Sequence, residues 1–284
     1  VTTTSGAGGR PRPARRWSPA QLDRLGLPAP LRDRLARLVL PAAAGPYFQV
    51  ADVPVTLGRY ALEARLPEPN ADLAGLRRLG SDRGSEICVD HSGTVRSVFC
   101  EFAGPGRLVN STVEAWQTGL TELDRLCGQL APDPIGSRAV ALVTAFQARL
   151  AGLDPMAMSD PDHWWPLVTE DLRLTASVDA GGVIEFRTGT GALQTVTGYT
   201  LPGGGHVERR LWDSLRSQGV APEQVTRIHT DLEPCMLPGG YCAAWLAVTF
   251  PDAESTYSFT YGPGANDRTE GIRALIAFIE GSDT

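Results

Sequence analysis

The chain has 284 residues, a hydrophobic fraction of 42% and a net charge of −6, and all 26 of its Lys-plus-Arg positions are arginine. This length holds one large domain or two ordinary ones; the apolar content argues against a disordered chain, and the acidic balance argues against tight, sequence-independent binding of nucleic acid while leaving room for a small basic groove. No apolar run reaches the length of a membrane span, and an odd count of 5 cysteines in a chain too large to need disulfide staples predicts a reduced, cytoplasmic setting.

Residues 1–16, rich in Gly, Pro, Arg and Thr, read as a flexible tail with no apolar secretory segment. Ser18 then caps a helix with Pro19 at its first position, and LRDRLARLVLP repeats apolar residues at helical spacing. From residue 85 the period falls to two: SEICVD and VRSVFCEF are strands joined by the turn HSGT. In RLVNSTVEAWQTGLTELDRL, Ser111 and Glu114 form a capping box, and Val113, Trp116, Leu120 and Leu123 make one apolar helix face. Residues 17–150 therefore read as an α+β domain in which Cys88, Cys100 and Cys127 are inert thiols, and AVALVTAFQARLAGLD adds a helix. Residues 151–174, including SDPDHWWPLVTEDLR, read as the connection to a second domain, with His163, Trp164 and Trp165 packing between the two.

The second domain, 175–284, alternates strands and helices. TASVDAGGVIEFRT reads as two strands about a Gly181-Gly182 turn, HVERRLWDSLRSQG as a helix ended by Gly219, TRIHTDLEP as a strand, CAAWLAVTF as a helix, TYSFTYG as a strand, and RTEGIRALIAFIEG as a helix capped by Thr269. The ββαβαβα order with short connections predicts an α/β domain, a mixed sheet covered by helices.

Chemistry concentrates at two helix starts. His206 and Glu208 follow Gly203-Gly204-Gly205; Cys235 and Cys242 stand at or near the head of the next helix. If both helices lie on one face of the sheet, one imidazole and two thiolates converge, three zinc ligands that leave a fourth position for water. Helix N-termini favour thiolate over thiol. Glu208 is not needed as a ligand and is placed to take a proton from that water, whose pKa zinc lowers to about 7. Cysteines with six residues between them do not by themselves match a short zinc spacing.

Two resemblances follow. GSEICVDHSGTVRSVFCEF with RLVNSTVEAW resembles the SUKH superfamily, the immunity-protein fold found beside bacterial toxins, over about residues 40–127. That implies a protein-binding or regulatory module without chemistry of its own. His206-Val207-Glu208 with Pro234-Cys235 and Cys242 is similar to the H-x-E and P-C-x-x-C motifs of the cytidine deaminase superfamily over about 175–284. LEPC at 232–235 is similar to its tRNA adenosine deaminase branch, and TDLEPCMLPGGYCAAWL with FPDAESTYSFTYG looks like its bacterial toxin-system nucleic-acid and nucleotide deaminases. The resemblance implies Zn2+ bound by His206, Cys235 and Cys242, with Glu208 shuttling protons. The substrate it implies is cytosine in single-stranded nucleic acid or a nucleotide, with adenine second. The departure is the spacing: six residues, MLPGGY, stand where the family has two. Pro238-Gly239-Gly240 is expected to fold the excess outward, and His229 is the substitute ligand if Cys242 is displaced.

Thr200 and Gly205 precede the histidine and are expected to line a base pocket. Tyr257, Phe259 and Tyr261 alternate on one strand, where core packing competes with stacking on a flipped base; Arg268 and Arg273 read as solvated surface. The rival to an enzyme is an interaction or immunity protein that binds a partner through its N-terminal half and carries a structural-zinc or inactive deaminase unit.

Overall fold

The computed structural model describes residues 14–100 and 106–282. Most of the expected tail lies outside the described residues. Its end does not: Ala14–Arg15 (β1) pairs antiparallel with Leu40–Pro41 (β2), and Trp17 beside it is buried with its Nε1 donating to the Ala51 carbonyl at 3.0 Å. Between these strands run Pro19–Asp23 (α1), with the Ser18–Gln21 capping box in place, and Ala29–Arg37 (α2).

The N-terminal domain is a sheet backed by helices. Its strands are Ala43–Ala44 (β3), Phe48–Thr56 (β4), Arg77–Ser81 (β5), Glu86–Val89 (β6), Val95–Val98 (β7) and Arg107–Asn110 (β8), antiparallel in the order β3-β4-β5-β6-β7-β8. Leu57–Ala64 (α3) and Ala71–Ala74 (α4) fill the link from β4 to β5. Val113–Leu130 (α5), Ser137–Leu153 (α6) and Trp164–Thr175 (α7) follow. The face read from the α5 sequence is the buried one: Val113, Trp116, Leu120 and Leu123 are all inaccessible, packed with Phe48, Ile87, Val95 and Phe146. The cap is shifted by one residue. Thr112 Oγ1, not Ser111, accepts the Ala115 N–H at 3.2 Å, because Ser111 is taken by Asp154, to which it donates through both N–H and Oγ.

The expected connection at 151–174 contains most of α7, whose Trp164 and Trp165 are fully buried in the N-terminal core. Apolar residues at 164, 165, 167, 168, 172 and 174 leave this helix no solvent face wide enough for a linker.

The C-terminal domain comprises Gly181–Arg187 (β9), Leu193–Tyr199 (β10), Val207–Ser217 (α8), Val225–Leu232 (β11), Cys242–Thr249 (α9), Glu254–Phe259 (β12) and Ala265–Ser282 (α10). The sheet order is β10-β9-β11-β12, with β11 and β12 parallel and the other pairs antiparallel, so the sheet is mixed. Two local expectations change. Gly181 and Gly182 lie inside β9 rather than in a turn, and the hairpin bends at 188–192. A Cβ on Gly182 would stand 2.8 Å from Val207 Cγ1 and 3.0 Å from the His229 carbonyl, so glycine serves close packing there. Helix α10 begins four residues before Thr269, whose hydroxyl instead bonds the Ala265 carbonyl within the helix. Helices α8 and α9 share one core: Trp212 and Leu215 meet Leu246, Phe250 and the inward residues Ile184, Phe186, Val225 and Ile228 of the sheet. Their N-terminal ends are thereby brought side by side. Among the described residues, no helix is long and apolar enough to cross a membrane.

Candidate metal and catalytic site

His206 is the N-cap residue of α8. The chain reaches it through a tight turn in which Leu201 and Gly205 bond each other and Gly203 and Gly205 hold φ of +70° and +109°, a region open mainly to glycine. Thr200 Oγ1 accepts the Val207 N–H at 3.2 Å and so caps the helix in place of the histidine side chain. Glu208 is in the first turn and 4% exposed.

Cys235 follows β11, held where Glu233 N–H bonds the Phe259 carbonyl and the Glu233 carboxylate accepts the Tyr261 N–H. Its own carbonyl accepts the Ala243 N–H at 3.0 Å, which ties it to the first turn of α9 and so to Cys242. The six-residue loop between the cysteines does not fold outward. Tyr241 N–H bonds the Leu237 carbonyl across a turn with Gly239 at φ +85°, and Leu237 and Tyr241 are each 2% exposed. The turn packs on the N-terminal domain: Gly239 N–H donates to the Asp82 carbonyl, and Tyr241 OH donates to the Asp82 carboxylate at 2.9 Å. A buried apolar insertion finds a partner surface there that solvent would not give it. Arg209 pins the loop from the other side, donating to the Gly240 carbonyl while stacking 4.0 Å over Trp245.

The donors converge. His206 Nδ1 lies 3.4 Å from Cys235 Sγ and 3.6 Å from Cys242 Sγ, and all three ligand atoms lie within 4.8 Å of one another. Tetrahedral zinc with ordinary Zn–N and Zn–S bonds separates nitrogen from sulfur by about 3.6 Å, so the donor set and its spacing fit zinc. Both cysteines are buried. A hydrogen bond from the Cys242 thiol and the charge of His206 bring the Cys235 thiol down to about 6 against its burial; the same sulfur pairing and burial push Cys242 up. Burial disfavours charge on His206, but the Cys235 sulfur and the Asp171 carboxylate outweigh it and raise the imidazole well above its ordinary value.

Beside the donors is a cavity of about 30 Å³ whose walls include Thr200, His206, Glu208, Thr230, Glu233 and Tyr261. It has room for a water or two, not for a nucleobase. Thr200 lines this small cavity, whereas Gly205 and Tyr257 are absent from its wall; Tyr257 is 46% exposed on β12. His229 bonds Thr256 and Ser258 and stays outside the donor group. Phe259 packs on Phe278, and Arg268 is buried in a two-pronged ion pair with Glu170 at 2.7 and 3.1 Å rather than solvated. Two residues at the site escaped the sequence reading. Asp171 on α7 accepts from His206 Nε2 at 2.8 Å, and Tyr47 OH donates to the other Asp171 oxygen at 2.6 Å. The available signal was an aspartate on the apolar face of α7, one turn beyond Leu167 and Val168.

Residues 8–171 match the family described as SUKH-4 immunity protein, and residues 179–278 match the family described as Xanthomonas-like deaminase. No curated protein and no solved structure gives a match.

Proposed function

The chain belongs to the SUKH-4 immunity-protein family and carries a deaminase-like domain behind it, and from that premise we propose that it is a zinc-dependent hydrolytic nucleobase deaminase, acting on cytosine in single-stranded nucleic acid or a nucleotide before adenine. The observation that carries this reading is Glu208. It is a buried carboxylate in the wall of the cavity beside the donors but outside their group of three, and three protein ligands leave the fourth position open, as a catalytic zinc site keeps it and a closed structural site does not.

His206, Cys235 and Cys242 would hold the ion. Zinc supplies Lewis acidity that brings the ionisation of water near neutrality. Glu208 takes one proton from the attacking water as its oxygen adds to the amino-bearing carbon. It passes that proton to the adjacent ring nitrogen, then moves the second to the amine; the carbon–nitrogen bond breaks, ammonia leaves, and the base keeps a carbonyl. Thr200 holds the first turn of α8, and with it Glu208, against the cavity. The N-terminal domain would bind a protein partner, in keeping with a toxin–immunity setting.

The alternative, a non-catalytic interaction protein with an inactive deaminase unit, has the small cavity on its side, since a base enters only if the site widens. Mass spectrometry of oligonucleotides and free nucleosides after incubation decides between them. The enzyme reading expects a product about 1 Da heavier, and Glu208→Ala lowering its yield at least about 100-fold. A zinc-loaded protein that turns over no cytosine, adenine or guanine substrate favours the alternative.

A further inference from the structure

The deaminase-like match begins at residue 179, yet the hydrogen bond that orients its histidine comes from residue 171. Asp171 is 3% exposed, and each of its carboxylate oxygens has one partner. One accepts from His206 Nε2, which keeps a proton on that nitrogen and leaves Nδ1, the atom that faces the two sulfurs, as the one that would carry the metal. The other accepts from Tyr47, itself 1% exposed in the loop before β4, which fixes the plane of the carboxylate. Tyr47 is locked in turn, because Gly239 of the cysteine loop packs so close that a Cβ there would lie 2.7 Å from its ring. A histidine that binds a metal through one nitrogen and a carboxylate through the other is held in one tautomer and one orientation, and such outer partners typically matter to affinity.

We infer that Asp171 and Tyr47 are positioning residues for the metal site, so that the N-terminal domain completes the metal centre of the C-terminal domain. This rests on the zinc reading above. The adjacent residue gives an internal control. Glu170, on the same turn of α7, reaches Arg268 of α10 and joins the two domains without touching His206.

The test uses the full chain as wild type, Asp171→Asn, Tyr47→Phe and Glu170→Gln. Each is titrated with zinc against a chromophoric chelator, and its melting temperature is measured with and without metal. Asp171→Asn is expected to weaken zinc roughly 10- to 100-fold. Tyr47→Phe, which keeps its ring in the core, is expected to weaken it less. Glu170→Gln is expected to lower the melting temperature and leave zinc affinity unchanged. If Asp171→Asn and Tyr47→Phe keep wild-type affinity, the inference is overturned and the zinc reading stands. If Glu170→Gln weakens zinc as much as Asp171→Asn, domain docking accounts for the effect and the inference is likewise overturned. A wild type that binds no zinc overturns the zinc reading and the inference together.

Discussion

Gly182 shows how tightly the site is built at the level of single residues. The atoms its missing Cβ would meet are Val207, at the head of α8, and a main-chain oxygen of β11 that cannot rotate away. Gly182→Ala is therefore expected to destabilise the protein by about 1–3 kcal/mol and to disturb the turn that carries Glu208; denaturant melts and zinc titration of the variant measure both. The donors themselves were legible because few side chains bind zinc, and three of those few stand beside helix starts in His206, Cys235 and Cys242. Asp171 was not legible as a site residue. A carboxylate on an apolar helix face announces a buried partner without naming it, and here the partner lies 35 residues further along the chain.

At the scale of elements, one carboxylate ties the end of α6 to the end of β8 and to the residue that follows it, ahead of α5. Asp154, at the end of α6, accepts from Asn110, from Ser111 N–H and Oγ, and from Ala157 N–H. Burial disfavours its charge, but these donors outweigh burial and hold its pKa below the ordinary 3.8. A depressed folded value gives stability that is present above the unfolded value and lost as pH falls through the folded one. Urea unfolding of the wild type should thus lose stability below about pH 4, and Asp154→Asn, already weaker at neutral pH, should lose less over the same range. Because Asp154 occupies Ser111, the cap of α5 passes to Thr112, and Thr112→Ala should cost about 1 kcal/mol in the same assay. The α5 face could be read from periodicity alone. The identity of its cap could not, since the local sequence favours Ser111 with Glu114 and a residue 43 positions away takes Ser111 out of that role.

At the scale of the whole molecule, the two domains meet through specific polar groups. Asp82 receives Trp164 from its own domain and Tyr241 from the cysteine loop; Glu170 holds Arg268; Asp171 holds His206. A metal bound at this seam stabilises both sides at once. Removing zinc with a chelator is therefore expected to lower the melting temperature of the chain as one transition, and restoring it should add about 1.4 kcal/mol for each tenfold of free zinc above the dissociation constant. Calorimetry of metal-free and reloaded protein checks this, and a transition confined to one domain would contradict it.

Taken alone, the sequence determined the local periods, the helix heads that carry the chemistry and the resemblance of each half to a family, because these depend on residues close together in the chain or on donor chemistry itself. The tertiary structure decided which way the loop between Cys235 and Cys242 turns, that α7 is core rather than connection, how little space stands beside Glu208, and that Asp171 faces His206. Each of these depends on which buried surfaces meet across the domain seam. A contact between residues far apart in the chain leaves no period or spacing in the sequence to read.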